Sequence, residues 1–356
     1  MEVQNRDYQQ RILQKTITHY ENNIPSVGIV SPTGSGKTIM GMQFLKYVED
    51  NYPDLTFNWV AMRRQLLRQA ANTNRNMFGM KNINFVSMFE KNPPKADIIV
   101  IDELQHSCTE SFNNVSSWDL RFMLGLSATP FRTDKLKLPF NKMVQDAGIH
   151  RLIQEKWLCQ YWHYCMEEYN PRSVARTYMD NIDEWGKTVV FFSTINECME
   201  FQDLLAQKHI RCEVVSGSTT NAYREDQLDA FDNDEYNIVA NVAILNEGFD
   251  CPALKTVFVR DSSRLPAIQM AGRGFRIHEG KDHCNIIQSK MSKWQFTKHA
   301  KPQRAFVEKD KKFYALGSNS HINNACKDMI KRLTQIEVAM PAFIAKNKSK
   351  RIMAGE

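Results

Sequence analysis

Residues 31–38 read Ser-Pro-Thr-Gly-Ser-Gly-Lys-Thr, and this short run restricts the fold more than any other part of the chain. Glycines at 34 and 36 let successive backbone N–H groups turn inward around an anion. Such a loop works between a strand and a helix, because the helix N-terminus adds partial positive charge where phosphate would sit. Both flanks are present: the apolar stretch Val27–Val30 runs into the loop, and Thr38 opens a segment, 39–49, that can be helical. An α/β fold follows, with Thr33, Gly34, Ser35 and Gly36 expected to cradle the phosphates of a nucleoside triphosphate. Lys37 is expected to reach the β and γ phosphates, and the Thr38 hydroxyl to bind Mg2+.

A second run, Ala96-Asp-Ile-Ile-Val-Ile-Asp-Glu103, strengthens this expectation. Four consecutive apolar residues suit a strand buried on both faces of a parallel sheet. Asp102 then emerges at the carboxyl end, where such sheets bind ligands. Its carboxylate can hold Mg2+ beside phosphate, and Glu103 is placed to orient and deprotonate an attacking water.

The motifs continue in order: Arg6-Asp-Tyr-Gln9, Val60-Ala-Met-Arg-Arg-Gln-Leu-Leu-Arg-Gln69, Asp102-Glu-Leu-Gln-His106, Ser127-Ala-Thr-Pro130, Ser216-Gly217 with Arg224 and Phe231, Asn246-Glu-Gly-Phe-Asp250, and Gln269-Met-Ala-Gly-Arg-Gly-Phe-Arg276. Over about residues 5 to 290 this series resembles superfamily 2 helicases of the DExH kind. Gly125–Asp134, and Gln269–Arg276 followed by Gly280-Lys281, look most like the branch holding XPB-type repair helicases and restriction-enzyme translocase (Res) subunits.

The resemblance implies two tandem RecA-like parallel-sheet lobes with ATP in the cleft between them. It implies that Gln9 contacts adenine, that Gly248 and Asp250 lie near the ribose and phosphates, and that Gln269 helps place the water. Arg273 and Arg276 would be arginine fingers reaching across the cleft to neutralise charge on the γ-phosphate. Gln105 or His106, with Ser127 and Thr129, would couple hydrolysis to movement. Motif II departs from Asp-Glu-x-His in carrying Gln105 before His106, which leaves both as coupling residues. Met62 stands where many relatives of this branch carry histidine, and Ser31 where the strict loop pattern has glycine.

Length and composition agree with two cores, since 356 residues with 42% hydrophobic content exceed one ordinary domain. The expected boundaries are 1–145 for the first lobe, 146–170 for an irregular crossover, 171–290 for the second lobe and 291–356 for a basic C-terminal extension. Strands are expected near Val27–Val30, Phe57–Ala61, Ile98–Ile101 and Phe122–Leu126 in the first lobe. In the second they are expected near Thr188–Phe192, Cys212–Val215, Ile238–Ala240, Thr256–Val259 and His283–Ile287.

No apolar run is long enough to span a bilayer, and the polar residues 1–10 lack a signal-peptide pattern, so a cytoplasmic protein of a bacterial or phage-infected cell, with no membrane partner, is expected. The eight cysteines lack Cys-x-x-Cys spacing and are expected to be reduced thiols. Cys159, His163 and Cys165 lie close in sequence, but the aromatics around them favour a packed strand over zinc.

Residues 290–356 hold fifteen Lys or Arg against five Asp or Glu, a net +10 in a chain whose total is +6. There Phe296, Phe306, Phe313 and Tyr314 interleave with Lys293, Lys298, Lys301, Arg304, Lys311 and Lys312. The mixture suits phosphate contacts with base stacking, and equally a solvated helix packed on the second lobe. Together with the motifs it points to an ATP- and Mg2+-dependent nucleic-acid motor. DNA is favoured over RNA, and a protein partner would supply substrate targeting or nuclease activity.

Overall fold

The computed structural model describes residues 6–103, 120–129, 138, 140–246 and 249–316. Six strands form the first sheet: β1 (Ser26–Val30), β2 (Phe57–Ala61), β3 (Ile83–Ser87), β4 (Ile98–Ile101), β5 (Phe122–Ser127) and β6 (Lys142–Gln145). Their spatial order is β3-β2-β4-β5-β1-β6, with every pair parallel. The helices of this half are α1 (Asp7–Glu21), α2 (Lys37–Asn51) and α3 (Arg64–Thr73). Strands β2 and β4 are buried along their whole length, as apolar runs in a parallel sheet must be. The polar intruder Asn58 is satisfied: its Nδ2 donates to Pro94 O at 2.8 Å and its Oδ1 accepts from Asn84 Nδ2 at 3.1 Å. Helix α2 lies so close to the sheet that a Cβ on Gly41 would come within 2.9 Å of the Trp59 ring. That packing fixes the phosphate loop, because α2 begins at Lys37.

The second sheet has eight strands: β7 (Gln160–Met166), β8 (Thr188–Phe191), β9 (Glu213–Val215), β10 (Ile238–Asn241), β11 (Thr256–Phe258), β12 (His283–Ser289), β13 (Arg304–Lys309) and β14 (Lys312–Ala315). They run in the order β14-β13-β7-β12-β11-β8-β10-β9. Helices α4 (Ile149–Gln154), α5 (Pro171–Asp180), α6 (Ile182–Trp185), α7 (Ile195–Ala206), α8 (Asn221–Asp232) and α9 (Arg264–Gly272) complete the described elements of regular α-helix. The chain is thus an α/β protein with two RecA-like sheets in succession, the first wholly parallel and the second parallel from β9 through to β13. The strands expected in each half form where the apolar runs place them.

Two segments differ from expectation. The span read as an irregular crossover contains β7, which pairs in parallel with both β12 and β13. Its Tyr161, Tyr164 and Met166 are buried, so the aromatic-rich run around Cys159 and Cys165 is a packed strand. The basic extension also differs: its described part is neither a helix nor a row of free stacking platforms. Phe296 is buried, and Phe306 stacks on Tyr164 with centroids 4.5 Å apart. Phe313 meets the same ring edge-on at 5.1 Å. Period-2 alternation on β13 puts Arg304, Phe306 and Glu308 on one face, where the Arg304 guanidinium lies 4.7 Å from the centre of the Trp162 ring and Glu308 is buried. Strands β1 to β13 belong to one compact unit. Among the described residues, no helix is long and apolar enough to cross a membrane.

Candidate nucleotide site between the two sheets

Strand β1 delivers the phosphate loop at its carboxyl end, and Ser31 N donates to Ser127 O at 3.0 Å, extending the β1–β5 ladder to the first loop residue. Gly34 and Gly36 have φ of +80° and +81°, a region open to glycine at little cost. Gly36 is required for a second reason: a Cβ there would lie 2.5 Å from Gln9 Nε2. Helix α1 holds the loop from outside. Gln9 Nε2 donates to Ser35 O at 2.9 Å, Tyr8 Oη donates to the same carbonyl at 2.6 Å, and Gln9 Oε1 accepts from Arg6 N at 3.2 Å.

Lys37, at the first turn of α2, is buried, and its ammonium lies 3.7 Å from Glu103 Oε1. Asp102 N donates to Val60 O at 2.8 Å, and Asp102 Oδ1 accepts from Glu103 N at 2.9 Å. Burial is the main cause that pushes the Asp102 carboxyl up to about 7; the Glu103 charge adds to it and the Lys37 ammonium opposes it. Glu103 has φ of +51°, uncommon outside glycine, and this bend turns the chain directly after β4.

The second half closes over this loop. A Cβ on Gly34 would be 3.3 Å from Leu158 Cδ2 and 3.6 Å from Arg276 Cγ, and one on Gly272 would be 3.1 Å from Thr33 Cβ. Arg273 is buried and donates to Phe249 O at 3.0 Å, while Arg276 pairs with the Asp250 carboxylate. Further out, Arg63 donates to Ile244 O at 2.9 Å, and Arg6 to Trp157 O at 3.2 Å. Between the halves lies a cleft of about 380 Å³, lined by Lys37, Thr38, Asp102, Glu103, Asp250, Arg273 and Arg276 among others. That volume falls in the range of small-molecule sites.

The donor set fits a nucleoside triphosphate with a divalent cation. The lining presents the Lys37 ammonium, the Thr38 hydroxyl and the Arg273 and Arg276 guanidiniums to the cleft. Two adjacent carboxylates, one buried, are an arrangement that a dication relieves.

Comparisons with known proteins agree with the geometry. Residues 2–94 match the family described as type III restriction enzyme, res subunit, and residues 171–278 match the helicase conserved C-terminal domain. Over these two segments the chain is similar to Res-like superfamily 2 helicases. It is similar to the putative ATP-dependent helicase IRC3 of Saccharomyces cerevisiae, at 24% identity over 79% of this chain and 51% of that protein. A putative mitochondrial ATP-dependent helicase irc3 of Schizosaccharomyces pombe is 22% identical over 89% of this chain and 63% of that protein. A 51.5 kDa protein of a Lactococcus phage is 22% identical over 75% of this chain and 66% of that protein. The chain thus spans between half and two thirds of the length of the two yeast relatives. Among solved structures, the Type ISP restriction-modification enzyme LlaBIII bound to DNA superposes with TM-score 0.62 and 16% identity, over 81% of this chain and 28% of that one. Dbp5 of S. cerevisiae bound to RNA and ADP BeF3 superposes with TM-score 0.58 and 16% identity, over 80% and 83%. At these identities the likeness concerns the fold.

The structure brings together Thr33, Gly34, Gly36, Lys37, Thr38, Asp102, Glu103, Asp250, Arg273 and Arg276 around one cleft. Gln9 stands behind the loop, donating to the carbonyl of the loop residue Ser35, and neither of them lines the cleft; Gln269 is buried on α9 and does not line it either. Ser127 Oγ donates to Thr129 O at 2.6 Å and accepts from Thr129 N at 3.2 Å, closing a small turn at the end of β5. Gln105, His106 and Gly248 lie outside the described residues. Sequence reasoning passed over Trp157 and Leu158, which border the cleft from the stretch read as crossover. Their apolar bulk just before β7 was the available signal.

Proposed function

We propose that the chain is an ATP-dependent nucleic-acid motor, a translocase or helicase, acting on duplex, forked or branched DNA rather than on RNA. The observation that carries this reading is the approach of Arg273 and Arg276 from the second half to the phosphate loop of the first. Lys37 would neutralise the β and γ phosphates, and Glu103 would take the proton of the attacking water. The two arginines would stabilise charge that the first lobe alone leaves exposed. Thr38 and Asp102 would hold Mg2+, which supplies charge neutralisation at the phosphates when bound. Because loop and arginines belong to different halves, nucleotide binding favours closure and hydrolysis favours release. Loops at the carboxyl ends of the strands would grip backbone phosphates, and alternating closure would move the chain along one strand.

The Res-family match and the DNA-bound restriction enzyme among the structural neighbours support DNA as the track. They also support a second reading, a motor subunit serving a separate nuclease. The phage relative supports work in the cytoplasm of an infected bacterial cell. The test is ATP-driven displacement of a labelled strand from forked DNA, measured beside a matched RNA fork. Displacement from DNA alone supports the proposal. Displacement from RNA alone overturns the choice of track, and ATP turnover without displacement reassigns the chain to translocation without unwinding.

A further inference from the structure

Gly280 and Lys281 follow the arginine-bearing segment, yet neither lines the nucleotide cleft. Gly280 has φ of +78°, and the turn this permits brings the chain back beneath residues 273–276, with Lys281 N donating to His278 O at 3.1 Å. There the Lys281 ammonium donates to three carbonyl oxygens: Gly274 at 2.8 Å, Arg276 at 2.9 Å and Pro252 at 3.1 Å. The intervening carbonyl, Phe275 O, accepts from Cys159 N at 2.8 Å. Three consecutive carbonyls at the carboxyl end of α9 and its following 3-10 turn (Arg273–Phe275) are therefore satisfied, two of them by one side chain.

Helix ends leave such carbonyls without intrahelical partners and carry the negative end of the helix dipole, so a cation there is doubly favourable. The turn is tightly seated as well: a Cβ on Gly274 would lie 3.3 Å from Cys284 Cβ and Val257 Cγ2. Pro252 O belongs to the stretch of chain leaving Asp250, the carboxylate that pairs with Arg276. One ammonium thus fastens both walls from which the cleft arginines and their carboxylate partner project. Burial lowers the Lys281 pKa, which fits an ammonium desolvated to serve carbonyls rather than a surface charge.

We propose that Lys281 is a positioning residue for Arg273 and Arg276, acting through the backbone of the turn that carries them. The inference rests on the reading of those arginines as groups that act on the triphosphate. A misplacement of such groups by about an ångström lowers turnover by up to about a hundredfold while leaving nucleotide binding largely in place.

The test uses the full chain as Lys281→Met, which keeps the aliphatic stem and removes the ammonium, together with Arg276→Ala and the double variant. Binding of a fluorescent ATP analogue, thermal melting, and kcat and KM for ATP are measured for each. The expected result is a kcat lowered roughly tenfold to a hundredfold in Lys281→Met, nucleotide affinity within about twofold of the parent, and a double variant whose loss is smaller than the product of the two single losses, because only Arg273 is left for the turn to position. Unchanged kcat in Lys281→Met, or multiplicative losses in the double variant, overturns the proposal. Should Lys281→Met melt before assay, Gly280→Ala, which disturbs the same turn, is expected to give the same kcat loss, and full turnover there overturns the proposal equally. Full turnover in Arg276→Ala instead removes the arginine reading itself, an outcome separate from the others.

Discussion

The Lys37 ammonium lies 3.7 Å from the Glu103 carboxylate, so the residue proposed to bind phosphate and the residue proposed as base are paired in the structure. An incoming triphosphate would draw Lys37 to itself, away from the Glu103 carboxylate. The pair therefore links binding to base activation, and each member has its own signature.

Glu103→Gln is expected to keep nucleotide binding and lower turnover by roughly a hundredfold to ten-thousandfold, the usual worth of a general base. Lys37→Ala is expected to remove turnover with loss of affinity as well, because ground-state and transition-state phosphate charge both lean on it. Equilibrium nucleotide binding beside single-turnover hydrolysis separates the two; equal affinity losses in both variants would contradict the division of roles.

Gly36→Ala is expected to lower nucleotide affinity and thermal stability together. The added methyl meets Gln9 Nε2 at 2.5 Å, and φ is +81°. The left-handed backbone alone costs about 1 kcal/mol for a residue with a side chain. Gln9→Ala in the same background relieves the collision and leaves the backbone cost, so a partial recovery of the melting temperature checks the contact. No recovery would mean that Gln9 does not restrain the loop.

His163, buried on β7 with Nε2 3.3 Å from Gln288 Oε1, has its pKa pulled down to about 4, by burial first, with the Gln288 contact opposing. A depressed pKa in the folded state means that stability present above the unfolded value of about 6.5 is lost as pH falls from there toward 4. The loss is on the order of 3 kcal/mol. Denaturant melts between pH 7 and 4 should show this slope in the parent and a flatter one in His163→Gln; identical slopes would rule out His163 as the titrating group.

Phe306→Ala is expected to destabilise the fold by about 2–3 kcal/mol, since its ring is stacked on Tyr164. It should leave the salt dependence of nucleic-acid binding unchanged. Replacing Lys293, Lys298 and Lys301 by alanine is expected to do the reverse, reducing the logarithmic salt slope by roughly 0.7–0.9 for each phosphate that is no longer neutralised. Salt titrations of binding with melting curves on the same samples distinguish these outcomes.

The reach of the sequence can be judged from these residues. Strands β2 and β4 were legible because both faces are buried, the run of β4 being wholly apolar and that of β2 broken only by Asn58. Strand β6 exposes most of its residues at a sheet edge, and so carries no comparable pattern. Strand β7 was read as packed but assigned to a connection, because sequence shows alternation without naming the partner strand. The phosphate loop and Asp102-Glu103 were readable since their chemistry is local. The clasp of Gln9 and Tyr8 on Ser35 O, and that of Lys281 on three carbonyls, arise from chain returns of 26, 27 and up to 29 residues and leave no periodic trace.

The most direct test of the central claim is the steady-state ATPase rate of the full chain without nucleic acid and with single-stranded DNA, duplex DNA, forked DNA and matched RNA, with Glu103→Gln as control. The account predicts a low basal rate, strong stimulation by DNA over RNA, and a rate at least about a hundredfold lower in the control. A rate indifferent to every nucleic acid, or one that survives in Glu103→Gln, would contradict it.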